Sequence, residues 1–135
     1  MEAWSQEKLA QSICACDIAI IPINMNDALT MGKPENKLLL FWRMGMPVVT
    51  SATPAYRRAM ERSGVGLSCE DESQWFTTLE RLIVDESLRR YTGEMGKVYA
   101  NRYFGEEVII RRWDSLFLSM GFDFSLGGAS SACAG

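Results

Sequence analysis

The chain contains no histidine. That removes the commonest general base, the commonest metal ligand and the usual partner of a serine or cysteine nucleophile. Chemistry here would have to use carboxylates, Lys, Arg or groups of a bound substrate. Cysteine is sparse, with Cys14, Cys16, Cys69 and Cys133 the only four in 135 residues. One C-x-C pair and two isolated thiols match neither zinc-ligand spacing nor a dense disulfide framework. They read as reduced thiols of a cytoplasmic protein, with no metal or cofactor expected. No apolar run approaches the roughly 20 residues that span a bilayer, so no membrane span is expected. Met1-Glu2-Ala3-Trp4 has neither the basic flank nor the apolar stretch of a signal peptide. No G-x-x-x-x-G-K-[ST] and no G-x-G-x-x-G follows a strand, which excludes the standard phosphate loop and dinucleotide fingerprints. An excess of positive charge is also lacking: 14 Lys and Arg against 17 Asp and Glu leave a net charge of −3. Nucleic acid is therefore not expected as a main partner.

What is present is the patterning of one packed α/β domain. Hydrophobic residues make up 47% of the chain and charged residues 23%, ordinary for a globular protein with a core. Trp4 to Cys16 reads as a helix with Ser5 as its cap. Ile18 to Ile21 is a β-branched run without alternation, the mark of a parallel strand buried on both faces. Ile23 to Met31 reads as a loop, with Asn24, Asn26 and Asp27 as turn residues. Glu35 to Met44 is amphipathic and is stopped by Gly45. Val48 to Ser51 is a second buried strand. Thr53 and Pro54 open a helix that ends at Gly64. Val65 to Cys69 is a third strand. Glu70-Asp71-Glu72 places acidic residues at the start of the next helix, the electrostatically favoured end. A helix from Asp85 to Phe104 carries Gly93 and Gly96, where a bend or break is expected. Glu106 to Met120 is the last helix.

The organising stretch is Gly32 to Pro54. A Gly- and Pro-containing loop leads into a helix whose first turn carries Asn36 and Lys37. A helix start presents unpaired N–H groups and suits an anion. Pro34-Glu35-Asn36-Lys37-Leu38-Leu39 followed by Met44-Gly45-Met46-Pro47-Val48-Val49 resembles the P-N-K-L-L-E-F-x-x-x-G-x-P-V-V signature of GT-B glycosyltransferases. That signature belongs to their C-terminal, nucleotide-sugar-binding domain. Asp17-Ile18-Ala19-Ile20-Ile21-Pro22 is similar to the D-I-x-I-x-P strand of the same domain. Pro54-Ala55-Tyr56 is similar to its P-A-Y helix start. The three motifs stand in the family's order and cover roughly residues 4 to 118.

The resemblance implies a three-layer α/β/α half-Rossmann fold with about three parallel strands and five to six helices. Residues 1–121 would form a partial donor-binding domain, with 122–135 a flexible Gly/Ser/Ala-rich tail. It implies a nucleotide sugar as ligand and donor-binding roles for Asn24, Lys33, Asn36, Lys37 and position 40. Two positions depart from the pattern. Leu40 stands where the family carries a Glu that reaches the donor ribose. Gly32 stands where relatives carry the partner Glu of a widely spaced pair. No catalytic residue is assigned, and catalysis by the isolated chain is not expected. A complete domain of this type has about six strands in two halves, and this chain supplies three strand candidates. Ile18 to Ile21 would then lie on an open edge, which calls for cover by a second copy or a partner chain. Two readings follow: a donor-binding module, or a non-catalytic homo-oligomeric interaction module of the same ancestry.

Overall fold

The computed structural model describes residues 5–122. Trp4 and the expected tail beyond Phe122 lie outside the described residues. A three-stranded parallel sheet is surrounded by helices, a half-Rossmann α/β arrangement. Its strands β1 (Ala19–Ile21), β2 (Val48–Ser51) and β3 (Ser68–Cys69) lie in the order β1-β2-β3. Ala19 is opposite Val48, and Thr50 is opposite Ser68. Six helices of eight residues or more accompany the sheet. They are α1 (Gln6–Cys14), α3 (Asn36–Arg43), α4 (Pro54–Ser63), α5 (Glu72–Val84), α6 (Glu86–Phe104) and α7 (Glu106–Ser119). A single-turn helix, α2 (Ala28–Met31), interrupts the segment read as loop. The Asp27 side chain caps it by accepting from the Leu29 amide at 3.0 Å.

The local chemistry behind these elements is visible at their ends. Ser5, Thr53, Asp71 and Asp85 each cap a helix by accepting a backbone N–H three residues on, relieving amides that have no partner within the helix. Pro54 occupies the first turn of α4, and Gly64 ends that helix at φ 72°, a left-handed conformation that costs a glycine little. β2 is buried along its whole length, as a central strand should be.

Two expectations fail for physical reasons. β1 is not buried on both faces: Ile20 is 55% exposed, because β1 is the sheet's edge. Nor do Gly93 and Gly96 break α6, which runs unbroken for 19 residues. They are where α6 touches its neighbours. A Cβ on Gly93 would fall 2.1 Å from the Gly45 carbonyl oxygen, and one on Gly96 2.4 Å from Trp42 Cδ1. The missing side chains let α6 settle directly on α3 and the turn that follows it.

The core gathers Leu38, Leu39 and Trp42 of α3, Val48 and Val49 of β2, Tyr56, Ala59 and Met60 of α4, Leu82 of α5 and Tyr99 of α6. Trp42 meets Tyr99 edge to face, with centroids 5.6 Å apart, a favoured aromatic geometry. The Arg43 guanidinium donates to the Phe104 carbonyl, tying the end of α3 to the end of α6. By contrast, α7 has no buried residue and leaves Ile110, Trp113 and Leu116 in solvent. Phe76 and Ile83 of α5 are also exposed; Leu82 is the residue that α5 buries.

Candidate functional site

In an open parallel sheet, ligands bind where loops leave the carboxyl ends of the strands. All three strands here end at one crevice of about 400 Å³. Pro22 and Ile23 follow β1, Ser51 closes β2, and Cys69 closes β3; all four line it. Met25, Glu70, Asp71, Glu72 and Trp75 complete the wall. Ser51 fixes the floor: its Oγ accepts from the Ile23 amide at 2.8 Å and donates to the Ile23 carbonyl at 3.2 Å. That exchange imitates a strand bond and locks the loop after β1 to the end of β2. On the opposite side the Arg57 guanidinium holds the Glu70 carboxylate at 2.7 Å, and the Glu70 amide donates to Gln74 Oε1 at 2.9 Å.

The chemical character of this crevice is mixed. Trp75 supplies a flat, half-buried apolar wall, and Ser51 a hydroxyl. The three consecutive carboxylates are acceptors suited to hydroxyl groups and unsuited to a phosphate. Burial pushes the Cys69 thiol above its ordinary value; the nearby Asp71 carboxylate adds to this, and Thr78, 3.6 Å away, opposes it. Cys69 is thus a protonated, buried thiol and not an activated nucleophile. Among the described residues no group of three or more Cys, Asp or Glu is gathered to hold a metal ion.

The start of α3 is the other feature of interest. Glu35 occupies its cap position but makes no side-chain capping bond. The amides of the first turn therefore keep their capacity for an external acceptor. Asn36 and Lys37 are exposed there. The Glu35 carboxylate acts on Tyr56, in the first turn of α4, whose phenol is raised first by burial and second by that charge. The Tyr56 phenol therefore lies within electrostatic reach of Glu35.

The five residues expected to bind a donor are not gathered into one pocket. Asn24 sits between two crevice-lining residues, Ile23 and Met25, but its side chain is used locally. Asn24 Oδ1 accepts from the Asn26 amide at 3.1 Å, and its carbonyl accepts from Thr30 Oγ1 at 3.0 Å. Lys33 is exposed, and its amide donates to the Thr30 carbonyl. Asn36 and Leu40 share a different recess with Leu39, Arg43, Phe104 and Ile109. Lys37 is exposed in the first turn of α3. Leu40 is 47% exposed, the aliphatic side chain that departs from the resembled signature. Ser51, Cys69 and Trp75 were missed as crevice residues. The first two could have been found as strand-ending positions of a parallel sheet; Trp75 carried no such signal.

Fold and crevice together define a half-Rossmann α/β domain with an open crevice at the carboxyl ends of its strands. No family model, no curated protein and no solved structure matches the chain.

Proposed function

We propose that this chain is a donor-binding module of glycosyltransferase type, binding a nucleotide sugar without transferring the sugar by itself. The observation that carries the reading is the crevice at which all three parallel strands end. Its acceptor-rich wall and the Trp75 face suit a hydroxyl-bearing ring. The uncapped start of α3, with Lys37 and Asn36 in its first turn, suits the diphosphate. The P-E-N-K-L-L string opens that same helix and the G-x-P-V-V string follows it. Catalysis needs an acceptor site and a base, and neither is assigned here. The test is a thermal-shift titration with UDP-, GDP- and ADP-sugars at millimolar concentration. A ligand that binds the folded state raises the midpoint by mass action. The expected result is a rise with one of the three that Lys37→Ala abolishes. No rise with any of them overturns the reading.

A second reading, a non-catalytic homo-oligomeric interaction module, is favoured by the open edge of the sheet. Ile20 is exposed on β1, beside a groove lined by Ile13, Ile18, Phe41 and Met46. Strand edges of this kind pair with other chains unless they are protected. Under this reading two copies meet through β1, antiparallel across a two-fold axis, and sedimentation reports a mass that rises with concentration. Ile20→Lys restores the monomer. A concentration-independent monomer mass for the unaltered chain overturns it.

A further inference from the structure

A further cavity lies away from the sheet, between α4, α6 and α7. It measures about 340 Å³, and its wall is formed by Arg62, Tyr99, Tyr103, Phe104 and Arg112. Arginines from two different helices thus line one hollow together with three aromatic residues. Among the described residues no carboxylate lines it. Among the described residues neither Arg62 nor Arg112 forms an ion pair, although the chain as a whole is acidic. The Arg112 guanidinium lies over the Phe104 ring, 5.9 Å from its centroid. The rings support one another: Tyr99 packs on Tyr103 at 5.0 Å and on Phe104 at 6.0 Å, and Tyr99 is anchored in the core against Trp42. The platform is therefore fixed before any ligand arrives.

We infer that this cavity is a binding site for a small aryl phosphate, a single aromatic ring bearing a phosphomonoester. Guanidinium groups are the side chains best matched to phosphate oxygens, because their forked N–H donors engage two oxygens at once. Aromatic faces accept a planar ring by offset or edge contact. A hollow of this size is at the small end of ligand sites, with room for one ring and its phosphate. The site is separate from the crevice at the ends of the strands, with which it shares no lining residue.

The experiment is a titration of the whole chain with phenyl phosphate, followed by the ring resonances of selectively labelled tyrosine and by calorimetry. Inorganic phosphate and phenol are titrated in parallel. The expected result is saturable binding that shifts Tyr99 and Tyr103, tighter than either fragment. Arg62→Ala and Arg112→Ala should each weaken it roughly tenfold, the scale of a lost charge-assisted pair. Arg62→Lys should recover only part, since a lysine lacks the fork. Lys37→Ala should leave it unchanged, which separates this site from the start of α3. Circular dichroism of each variant confirms that it is folded. If Arg112→Ala unfolds the chain, Arg62→Ala and Arg62→Lys carry the test. Absence of saturation, binding equal to that of inorganic phosphate alone, or binding indifferent to Arg62 overturns the inference.

Discussion

Gly96 of α6 lies against the indole of Trp42 so closely that an added methyl would sit 2.4–2.6 Å from three of its ring atoms. Trp42 is completely buried and cannot swing aside without disturbing Tyr99 and Leu38. Gly96→Ala would gain about 1 kcal/mol of helix propensity and lose more to overpacking, typically about 1–3 kcal/mol and occasionally beyond. The expected outcome is net destabilisation, read as a lower urea midpoint. Gly93→Ala should cost more, because its methyl meets backbone at the Gly45 carbonyl and not a side chain. An unchanged midpoint for both variants would mean that α6 does not sit this close.

Thr50 is wholly buried in the central strand, and among the described residues its Oγ1 has no hydrogen-bond partner. A buried hydroxyl left unsatisfied carries a desolvation penalty of about 1–3 kcal/mol. Thr50→Val keeps the shape and removes the penalty. The urea midpoint should rise, by an amount corresponding to roughly 1 kcal/mol. A fall in the midpoint would show that the hydroxyl is satisfied in solution.

Stability should decline on the alkaline side. Tyr56 and Cys69 both have folded-state values raised above their ordinary 10.0 and 9.0, chiefly by burial. In each case the folded chain disfavours the anion relative to the unfolded chain. The stability each group contributes is complete below its unfolded value and is lost as pH rises through its folded value. The loss therefore begins above about pH 9 with Cys69 and continues above about pH 10 with Tyr56. Urea midpoints measured from pH 8 to 11 should fall, and should fall less in a Tyr56→Phe, Cys69→Ala double variant. Equal slopes in the two proteins would contradict the assignment.

Thiol labelling offers an independent check on burial. Cys14 and Cys16 are exposed at the end of α1, whereas Cys69 is buried at the end of β3. Brief treatment with iodoacetamide under native conditions, read by peptide mass spectrometry, should modify Cys14 and Cys16 and spare Cys69. Modification of Cys69 at a matching rate would place the end of β3 in solvent.

Leu40→Glu tests the ancestry of the α3 region. The side chain is half exposed, so the change should leave stability within about 0.5 kcal/mol. If the donor reading holds, a carboxylate at this position regains an acceptor for a ribose hydroxyl. Affinity for the nucleotide sugar should then rise roughly tenfold, the scale of one hydrogen bond to a charged group. Weaker or unaltered binding would argue that α3 does not face the donor.

The elements with strong local chemistry were legible in the sequence. Thr53, Pro54 and Gly64 define α4 almost to the residue, and Val48 to Ser51 is β2 as read. Ser5, Asp71 and Asp85 behave as caps because capping is a matter of a few neighbouring atoms. What escaped depends on distant partners. The pattern of Ile18 to Ile21 reads as buried because four apolar residues in a row say nothing of which strand lies beside them. Gly93 and Gly96 look like helix breakers until Gly45 and Trp42 are brought against them. Asp27 has the chemistry of a turn residue, yet it opens the one-turn α2. The crevice was foreseeable in its location, at the ends of the strands, but not in its composition. Neither the acidic wall nor Trp75 belongs to the motif strings. The five residues to which the resemblance gave donor-binding roles spread over a loop, a helix start and a separate recess.

The third strand has few backbone ties. Ser68 and Cys69 form all of β3, and the Thr50 amide to the Leu67 carbonyl and the Ala52 amide to the Cys69 carbonyl join it to β2. Leu67 and Cys69 are nevertheless buried in the core, so apolar burial and not hydrogen bonding moors this strand. The Glu70 to Glu72 wall of the crevice then stands as firmly as those two side chains are packed.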